Sequence, residues 1–410
     1  MTAKALRYVL SGAASPPTHS LGMAIFARRL FGGEDLTATW DELMARASAS
    51  PPDPGAMLDL STLLLLTGRR DEGLALQADA ISRERRYRIA VGDGKGPVVL
   101  ALMAPGDMMA NTPLEFLLSG WNGHLELLFL DGTQPAPRDP PPHDLAIVAV
   151  GESDANAPIL RALAESLTAW PAPILNGAPQ SILALGRELA PRKLAGVPGL
   201  YAPPTRRLSR ADMAALATDP GRLGDWLPEA AFPLIARPVG SHAGTGLEKL
   251  DDAQALKTYV ETRDEAQFYL SPFVDYRSPD GLYRKLRVAL IGGRPHLAHL
   301  AISEHWMVHY LNAGMDADPA KRAEEAAMMA SFDEDFARRH GAAFRGLAEA
   351  IGLDYFAVDC AEDRQGRLLI FEADTAMIIH DMDPPDLYPY KRPAMAKLFA
   401  AFQALIASRL

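Results

Sequence analysis

The stretch GLDYFAVDCAEDRQGRLLIFEADTAMIIH, residues 352–380, sets two short apolar runs on either side of RQGR. Alternating apolar residues that flank a short glycine-containing turn are typical of a β-hairpin. A two-residue turn at Gln365 and Gly366 would pair Arg364 with Arg367. The sequence therefore predicts two paired strands in this stretch, with a register that can be counted outward from the turn.

Three carboxylates converge on one face of this predicted hairpin. In the counted register Asp359 lies directly opposite Glu372, and Asp374 shares the face of Glu372 because side chains alternate along a strand. Carboxylates so close together repel each other and raise each other's pKa unless a cation lies among them. Oxygen ligands of this kind suit Mg²⁺ or Mn²⁺ that bridges to the phosphates of a nucleotide. We therefore predict a metal site formed by Asp359, Glu372 and Asp374.

The acidic face allows two other interpretations. A solvent-exposed charged hairpin is disfavoured, because surface hairpins usually mix signs across a pair and this face carries no positive partner at those positions. A two-carboxylate glycosidase site is disfavoured, because the sequence supplies no aromatic sugar platform and no acid in a nonpolar pocket.

The composition limits the function classes. The chain has 410 residues, 48% of them hydrophobic and 22% charged, which suits two or three soluble domains. A net charge of -10 argues against general binding to nucleic acid or to an anionic membrane. The single cysteine, Cys360, excludes an internal disulfide framework and is expected to pack in the core. No apolar run approaches a membrane span and the N-terminus lacks the features of a signal peptide, so we expect a cytoplasmic protein.

The pattern of apolar residues changes twice along the chain, which predicts three domains. Residues 1–92 are expected to be helical, with two helices separated at Gly68. Residues 93–203 alternate short apolar runs with helical stretches, which predicts a small α/β domain with a largely parallel sheet. Residues 204–410 are expected to form an α+β domain with antiparallel sheets. Within it we predict strands at 233–238, 247–250, 267–271, 284–291, 296–302, 355–361 and 367–373, and helices near 209–217, 251–262, 320–351 and 393–409.

The stretch LIARPVGSHAGTGLEKL, residues 234–250, contains three glycines between two predicted strands. It has neither the P-loop pattern nor the third glycine of the dinucleotide-binding fingerprint. Backbone N–H groups of residues 240–246 could nevertheless fold over phosphate oxygens, and Arg237 could add a positive charge. Taken alone, the stretch is equally consistent with a plain hairpin.

In sequence order, the chain carries a small α/β domain, a glycine-loop hairpin, a connecting strand and a D…E-x-D acidic hairpin. This order resembles the ATP-grasp superfamily, most closely the ligases related to glutathione synthetase and to the ribosomal-protein glutamate ligases. The resemblance implies a pre-ATP-grasp α/β domain followed by an ATP-grasp domain of two lobes, residues 204–275 with the glycine loop and residues 276–410 with the metal site. It implies an ATP- and Mg²⁺-dependent (or Mn²⁺-dependent) ligase that joins a carboxylate to an amine through an acyl phosphate, giving ADP and phosphate.

The resemblance also implies roles for individual residues. PLIARPVGSHAGTG matches the family's phosphate-binding pattern with arginine in place of lysine, which implicates Arg237, Gly240, Ser241, His242, Gly244, Thr245 and Gly246. FYLSPFVDY matches the strand that contacts adenine, which implicates Tyr269, Leu270, Ser271, Phe273 and Asp275. YRKLRVALIGGRPHLAHLAIS matches the strand pair that carries the catalytic arginine, here Arg287, with Lys285 on the same face.

The remaining matches concern phosphate, metal and substrate. Arg187, with Lys193 as a competitor, matches the phosphate-directed lysine of the family. Asp359, Glu372 and Asp374 match the metal motif, with Asp in place of Asn. SEHWMVHYLNAGM corresponds to a substrate loop in which His309, Asn312 and Gly314 stand near the usual positions, and TAMIIHDMDPPD departs from the family's acceptor-facing segment.

Several alternatives stay open from the sequence. Residues 55–86 resemble one tetratricopeptide repeat, so the N-terminal helices could bind a protein partner or another copy of the chain, although packing on the rest of the protein is the simpler interpretation. The protein could be a catalytically degenerate ATP-binding scaffold or a small-molecule kinase. Zinc at the histidines of 296–309 is disfavoured, because His296 and His299 face opposite ways on a strand and HWMVH lacks the glutamate of the zinc-protease motif.

Overall fold

The computed structural model describes residues 16–131, 139–241 and 244–410. These residues form two compact units. The first comprises the described residues up to Leu183 together with Leu353–Phe356 and Asp374–Leu410, and the second comprises Ala184–Gly352 and Ala357–Ala373.

The regular elements alternate along the whole described chain. The helices are α1 Met23–Phe31, α2 Thr37–Ala47, α3 Pro54–Leu66, α4 Arg70–Arg83, α5 Leu114–Leu117, α6 Ala157–Ser166, α7 Pro179–Leu183, α8 Leu189–Leu194, α9 Arg210–Thr218, α10 Leu223–Trp226, α11 Ala253–Glu261, α12 Pro319–Ser331, α13 Phe336–Arg339, α14 Gly341–Ile351 and α15 Lys391–Ala407. Short 3₁₀ helices lie at Leu167–Ala169, Pro220–Arg222 and Tyr310–Asn312. The strands are β1 Thr18–His19, β2 Arg86–Val91, β3 Val98–Met103, β4 Gly123–Phe129, β5 Leu145–Val148, β6 Ile174–Leu175, β7 Leu200–Tyr201, β8 Arg206–Ser209, β9 Leu234–Pro238, β10 Glu248–Leu250, β11 Gln267–Pro272, β12 Tyr283–Ile291, β13 Arg294–Ser303, β14 Tyr355–Glu362 and β15 Leu368–Asp374.

The first unit contains a six-stranded sheet in the order β1-β2-β4-β3-β5-β6. Strand β3 runs parallel to β4 and β5, and β5 runs parallel to β6, so the prediction of a largely parallel sheet is confirmed. Strands β3 and β5 are apolar along their length, as expected for parallel strands covered on both faces. The predicted break between α3 and α4 at Gly68 is also confirmed.

The predicted boundary between residues 92 and 93 does not separate two units in the structure. Strand β2 belongs to the region predicted to be helical, yet it pairs antiparallel with β4. Its charged residues are accommodated because Arg86, at 3.0 Å, and Arg88 form ion pairs with Glu126, which is fully buried on β4. The resemblance of α3 and α4 to a tetratricopeptide repeat stays a prediction.

The second unit contains two sheets. The smaller has the order β10-β9-β11-β8, with antiparallel neighbours throughout. The larger has the order β13-β12-β14-β15-β7, and β12 and β13 form an antiparallel hairpin with a register shift between Arg287 and Val288. The strands predicted after residue 204 match β9 to β15 within two residues at each end, so the α+β class of this region is confirmed.

Two local predictions in this region are wrong. The single helix predicted at 320–351 is broken into α12, α13 and α14, and the buried Phe332 and Phe336, whose ring centroids are 5.9 Å apart, lie on either side of the first break.

The turn between β14 and β15 also differs from the prediction. The N–H of Asp363 donates to the carbonyl of Arg367 and the N–H of Gly366 donates to the carbonyl of Asp363, both at 2.9 Å, so the loop has three residues. Gly366 takes φ 73°, and the Asp363 carboxylate accepts the N–H groups of Gln365 and Arg367. The sequence predicted that Arg364 pairs with Arg367. At the turn Arg367 instead pairs with Asp363, one residue earlier.

None of the helices in the described part of the chain combines the length and the apolarity needed to cross a lipid bilayer.

Candidate active site

The site is arranged around Asp359 on β14, the central strand of the larger sheet. Asp359 is 4% exposed. Its Oδ2 accepts the Nζ of Lys285 at 2.9 Å, and its two oxygens accept the Nε and Nη2 of Arg287 at 2.8 and 3.2 Å. Lys285 and Arg287 lie two residues apart on β12, so both reach the same face of the sheet. Asp359 thus joins two cations from the neighbouring strand.

These cations keep Asp359 ionised despite its burial. Burial is the largest single effect and raises the pKa of Asp359, but the charges of Arg287 and Lys285 outweigh it and hold the pKa well below its ordinary value. The carboxylate is therefore charged at neutral pH.

Glu372 on β15 has its own cationic partner. Arg187, in the turn between α7 and α8, places its Nη2 2.5 Å from Oε1 of Glu372. Burial raises the pKa of Glu372, but attraction to Arg187 and then to Arg237 lowers it below the ordinary value, against repulsion from Asp359. Glu372 is therefore also ionised at neutral pH.

The glycine loop follows β9, and Arg237 lies near the C-terminal end of that strand. The Nε and Nη2 of Arg237 donate to the Oγ of Ser241 at 3.3 and 3.2 Å, and Nη2 also donates to the Ser241 carbonyl. Burial, followed by repulsion from Arg187, lowers the pKa of Arg237 to about 10, which leaves the guanidinium charged at neutral pH. Arg237 therefore holds the start of the loop and lies within electrostatic range of Arg187 and Glu372.

The strand–loop–strand arrangement predicted for this segment is confirmed, since β9 and β10 pair antiparallel. Gly240, Gly244 and Gly246 have φ values of 77°, 79° and 67°, a region that other residues rarely adopt. A Cβ at Gly246 would lie 2.7 Å from Cδ of Pro238, and one at Gly244 would lie 3.1 Å from Sδ of Met307. Thr245 lies in the turn between them, whereas His242, also predicted to bind phosphate, lies outside the described residues.

The predicted adenine-contacting residues differ in what they can offer. Tyr269 and Leu270 lie in the part of β11 that pairs with β8 on one side and β9 on the other, and the Leu270 side chain is fully buried in the core. Ser271 pairs only with β9 in this sheet. Phe273 makes an edge contact with Trp306, at 5.9 Å between centroids.

Asp275, the other residue of the predicted adenine strand, is engaged by arginines. Its Oδ2 lies 2.7 Å from Nη2 of Arg277 and 3.4 Å from Nη1 of Arg364. The hydrogen bond from Arg277 lowers the pKa of Asp275 to about 2. Asp275 is therefore held in a local ion-pair cluster at its own loop.

The two competing candidates for the phosphate-directed cation are separated by the structure. Arg187 reaches Glu372, whereas the Nζ of Lys193 donates to the carbonyl of Ile351 at 3.3 Å, at the C-terminal end of α14. Of the two, Arg187 is the residue whose charged group joins the site.

The substrate-loop candidates form a local turn. The N–H of His309 donates to Oδ1 of Asn312 and the N–H of Asn312 donates to the carbonyl of His309, both at 3.0 Å. Burial, followed by the charges of Lys285 and Arg287, lowers the pKa of His309, so its ring lies near these cations. Gly314 follows at φ 65°.

The predicted acidic cluster is not formed as expected. Asp359 and Glu372 both have cationic partners, which the sequence did not predict and which come from β12 and from the turn between α7 and α8 instead of from the hairpin itself. Asp374 is counted with the first unit, where its Oδ1 accepts the N–H of Ala376 at 3.0 Å. In the described part of the chain no group of three His, Cys, Asp or Glu residues could hold a metal ion. Asp359 and Glu372 are nevertheless ionised oxygen donors, the ligand type that Mg²⁺ takes in proteins.

Sequence reasoning missed three residues around this site. His299 is the cross-strand neighbour of Arg287, Tyr310 contacts the His299 ring, and Met307 lies against Gly244. Their residue types carry no motif. Counting the register across the β12–β13 hairpin could have identified the cross-strand neighbour of Arg287. The register shift next to Arg287 makes that count give the wrong residue.

No protein-family model matches the sequence, and the curated proteins contain no match. Solved structures show similarity. The RimK domain protein ATP-grasp from Sphaerobacter thermophilus DSM 20745 is 18% identical over 74% of this chain and 98% of its own, with a TM-score of 0.39. VanG D-Ala:D-Ser ligase from Enterococcus faecalis is 11% identical over 75% and 100% of the two chains, with a TM-score of 0.42. The D-alanine-D-alanine ligase from Coxiella burnetii is 12% identical over 76% and 97%, with a TM-score of 0.43.

Proposed function

We propose that the protein is an ATP- and Mg²⁺-dependent ligase that joins a carboxylate to an amine. The observation that carries the proposal is the pairing of two ionised carboxylates, Asp359 and Glu372, with three cations, Arg287, Lys285 and Arg187, in the second unit. Opposite charges paired in this way can exchange partners: a divalent cation takes the carboxylates and phosphate oxygens take the guanidinium and ammonium groups.

The roles of the chain's own residues follow from their positions. Arg287 and Lys285 would bind the terminal phosphate of ATP, and Arg187 and Arg237 the phosphates nearer the glycine loop. Asp359 and Glu372 would hold Mg²⁺, which supplies charge neutralisation at the phosphates when bound.

The chemistry proceeds in two displacements. A carboxylate oxygen of the first substrate attacks the γ-phosphorus, and the bond from that phosphorus to ADP breaks, giving an acyl phosphate. The amine nitrogen of the second substrate then attacks the acyl carbon, the bond from that carbon to phosphate oxygen breaks, and the amine nitrogen loses a proton to solvent. The fixed cations stabilise the negative charge that moves to the leaving ADP and phosphate oxygens.

The proposal is tested by ADP release. Purified protein is incubated with ATP, Mg²⁺ and mixtures of carboxylates and amines, and the condensed products are identified by mass spectrometry. Wild type is expected to release ADP only when a carboxylate is present, and Glu372→Ala is expected to lose this release. Glu362→Ala is the matched control, because Glu362 lies on the same hairpin but pairs with Arg339 and His340. ADP release that is equal in wild type and Glu372→Ala would contradict the proposal.

A second candidate is an ATP-binding scaffold without turnover. It is favoured by one observation: Arg237 donates to the Ser241 carbonyl and hydroxyl within its own loop. Equilibrium binding of ATP without ADP release for any carboxylate would select the scaffold. A stable phosphorylated product in place of an amide would select a small-molecule kinase. The cytoplasmic location and a partner or self-association at the N-terminal helices stay predictions.

A further inference from the structure

A buried carboxylate lies at the edge of the larger sheet, on the far side of β13 from β12. Glu325 on α12 is fully buried. Its Oε1 accepts the N–H of Leu300 at 3.0 Å, and its Oε2 accepts the hydroxyl of Tyr310 at 3.1 Å. Because β13 is at the edge of its sheet among the described residues, Glu325 satisfies an N–H for which the described strands offer no further partner. A carboxylate is an expensive group to bury for that purpose alone.

Tyr310 extends from Glu325 to His299, a residue of β13. The rings of Tyr310 and His299 are 4.7 Å apart between centroids, with an interplanar angle of 33°. The hydroxyl is fixed by Glu325 at one end of Tyr310, and the ring is fixed against His299 at the other. Tyr310 therefore limits the positions that the His299 ring can take.

His299 is in turn the direct cross-strand partner of Arg287. Directly opposed residues on an antiparallel pair share a face and have Cβ atoms about 5 Å apart. The cross-strand pair occurs where the register shifts, between Arg287 and Val288.

We infer that Glu325, Tyr310 and His299 are positioning residues that fix the guanidinium of Arg287 for phosphate binding. That Arg287 binds a phosphate rests on the proposed function. That Glu325, Tyr310 and His299 connect to Arg287 rests on the contacts described above. Glu325 anchors the line at the sheet edge, Tyr310 transmits its position to His299, and His299 confines Arg287 from the side opposite Asp359's strand. None of the three needs to touch the nucleotide.

The test uses Tyr310→Phe, Glu325→Gln and the double variant. Tyr310→Phe removes one hydroxyl and leaves the ring, so it preserves the packing. Glu324→Gln is the matched control, because Glu324 is the neighbouring residue on α12 and pairs with Arg284 instead. Urea unfolding of every variant separates a loss of stability from a loss of positioning.

The first readout needs no nucleotide. The Nε–H resonance of Arg287, identified by its absence in Arg287→Lys, is followed by ¹H–¹⁵N spectroscopy. Both Tyr310→Phe and Glu325→Gln are expected to shift or broaden it, and Glu324→Gln is expected to leave it unchanged. An unchanged Arg287 resonance in Tyr310→Phe would overturn the inference.

The second readout is the affinity for ADP with Mg²⁺, measured by calorimetry. Each single variant is expected to bind about tenfold more weakly, and the double variant no more weakly than the worse single variant, because one line of contacts is broken once. Two results would contradict a single line of contacts from Glu325 to Arg287. One is a loss of ADP affinity in the double variant equal to the product of the two single losses, and the other is equal ADP affinity in Tyr310→Phe and wild type. If wild type binds neither ADP nor ATP, the proposed function fails, and the resonance of Arg287 still decides the positioning.

Discussion

Asp359→Asn separates the two roles proposed for the charges of the site, metal binding by the carboxylates and phosphate binding by the cations. It removes one negative charge and changes the side-chain shape little. The wild-type carboxylate is buried and accepts three hydrogen bonds, one from Lys285 and two from Arg287. Removing one partner of a buried ion pair typically costs about 3–5 kcal/mol, because the other charge is left uncompensated. We expect the free energy of unfolding at pH 7 to fall by about this amount.

The loss should depend on pH in a defined direction. Burial raises the pKa of Asp359, but Arg287 and Lys285 outweigh it, so the folded pKa lies well below the ordinary value of 3.8. A depressed carboxyl pKa contributes stability that is present above the unfolded pKa and is lost as the pH falls through the folded pKa. The difference in unfolding free energy between wild type and Asp359→Asn should therefore be constant from pH 5 upward and should narrow only in strong acid.

The same substitution should strengthen anion binding in the absence of metal. It releases Lys285 and Arg287 from their carboxylate, and one charge-assisted hydrogen bond is worth about 1.5–3 kcal/mol. At about 1.4 kcal/mol for each factor of ten, pyrophosphate should bind the variant about 10- to 100-fold more tightly than wild type. Calorimetry in Mg²⁺-free buffer measures this gain, and Mg²⁺-dependent ADP release by the variant should be lost.

Asp363→Asn is the control for these effects. Asp363 is buried on the same hairpin and pairs with Arg367 at 2.8 Å. This variant should lose stability without gaining affinity for pyrophosphate. If Asp359→Asn binds pyrophosphate no more tightly than wild type, Lys285 and Arg287 are not a phosphate site. If it keeps Mg²⁺-dependent ADP release, Asp359 is not a metal ligand.

Three further predictions concern other parts of the chain. Gly244→Ala should weaken nucleotide binding several-fold in a calorimetric titration, because a Cβ there would lie 3.1 Å from Met307 Sδ on a backbone at φ 79°; unchanged affinity would show that the loop does not cover the nucleotide. Lys193→Ala should leave nucleotide affinity unchanged, because its Nζ binds the Ile351 carbonyl, and a large loss of affinity would show that the lysine acts in the site. Burial raises the pKa of Glu115 from 4.5 to about 7, so the folded state binds this proton more tightly and wild-type stability should fall as the pH rises between these values. Glu115→Gln should remove up to about 3 kcal/mol of that fall in urea titrations at pH 5 and pH 8, and parallel curves for the two proteins would refute the shift.

The sequence predicted β9 to β15 well, because each combines alternation with a clear turn signal, but it did not predict β7 and β8. It could not predict the partners of Asp359, because the pairing of β12 with β14 joins residues more than seventy positions apart. Local patterning carries no information about which strands become neighbours. The acids were therefore identified, but their cations were assigned only through a family resemblance and were not expected to bind the acids themselves.

Irregular backbone explains most of the remaining errors. Counted outward from the Gly292-Gly293 turn, Ile291 pairs with Arg294 and Arg287 would face Ala298, but the shift after Arg287 puts His299 there instead. One extra residue exchanges the two faces of a strand, so a correct turn still gives a wrong neighbour.

The ion pairs of the site favour a metal and a phosphate that bind together over either one that binds alone. A phosphate that took Arg287 and Lys285 alone would leave Asp359 buried and charged without these two partners, and a divalent cation that took Asp359 alone would remove its carboxylate from both cations. Each half-occupied state carries the cost of an uncompensated buried charge. A metal and a phosphate that arrive as one complex exchange both partners together and avoid that cost. The pairing therefore favours the metal–nucleotide complex over either component, without any contact that recognises the complex as a whole.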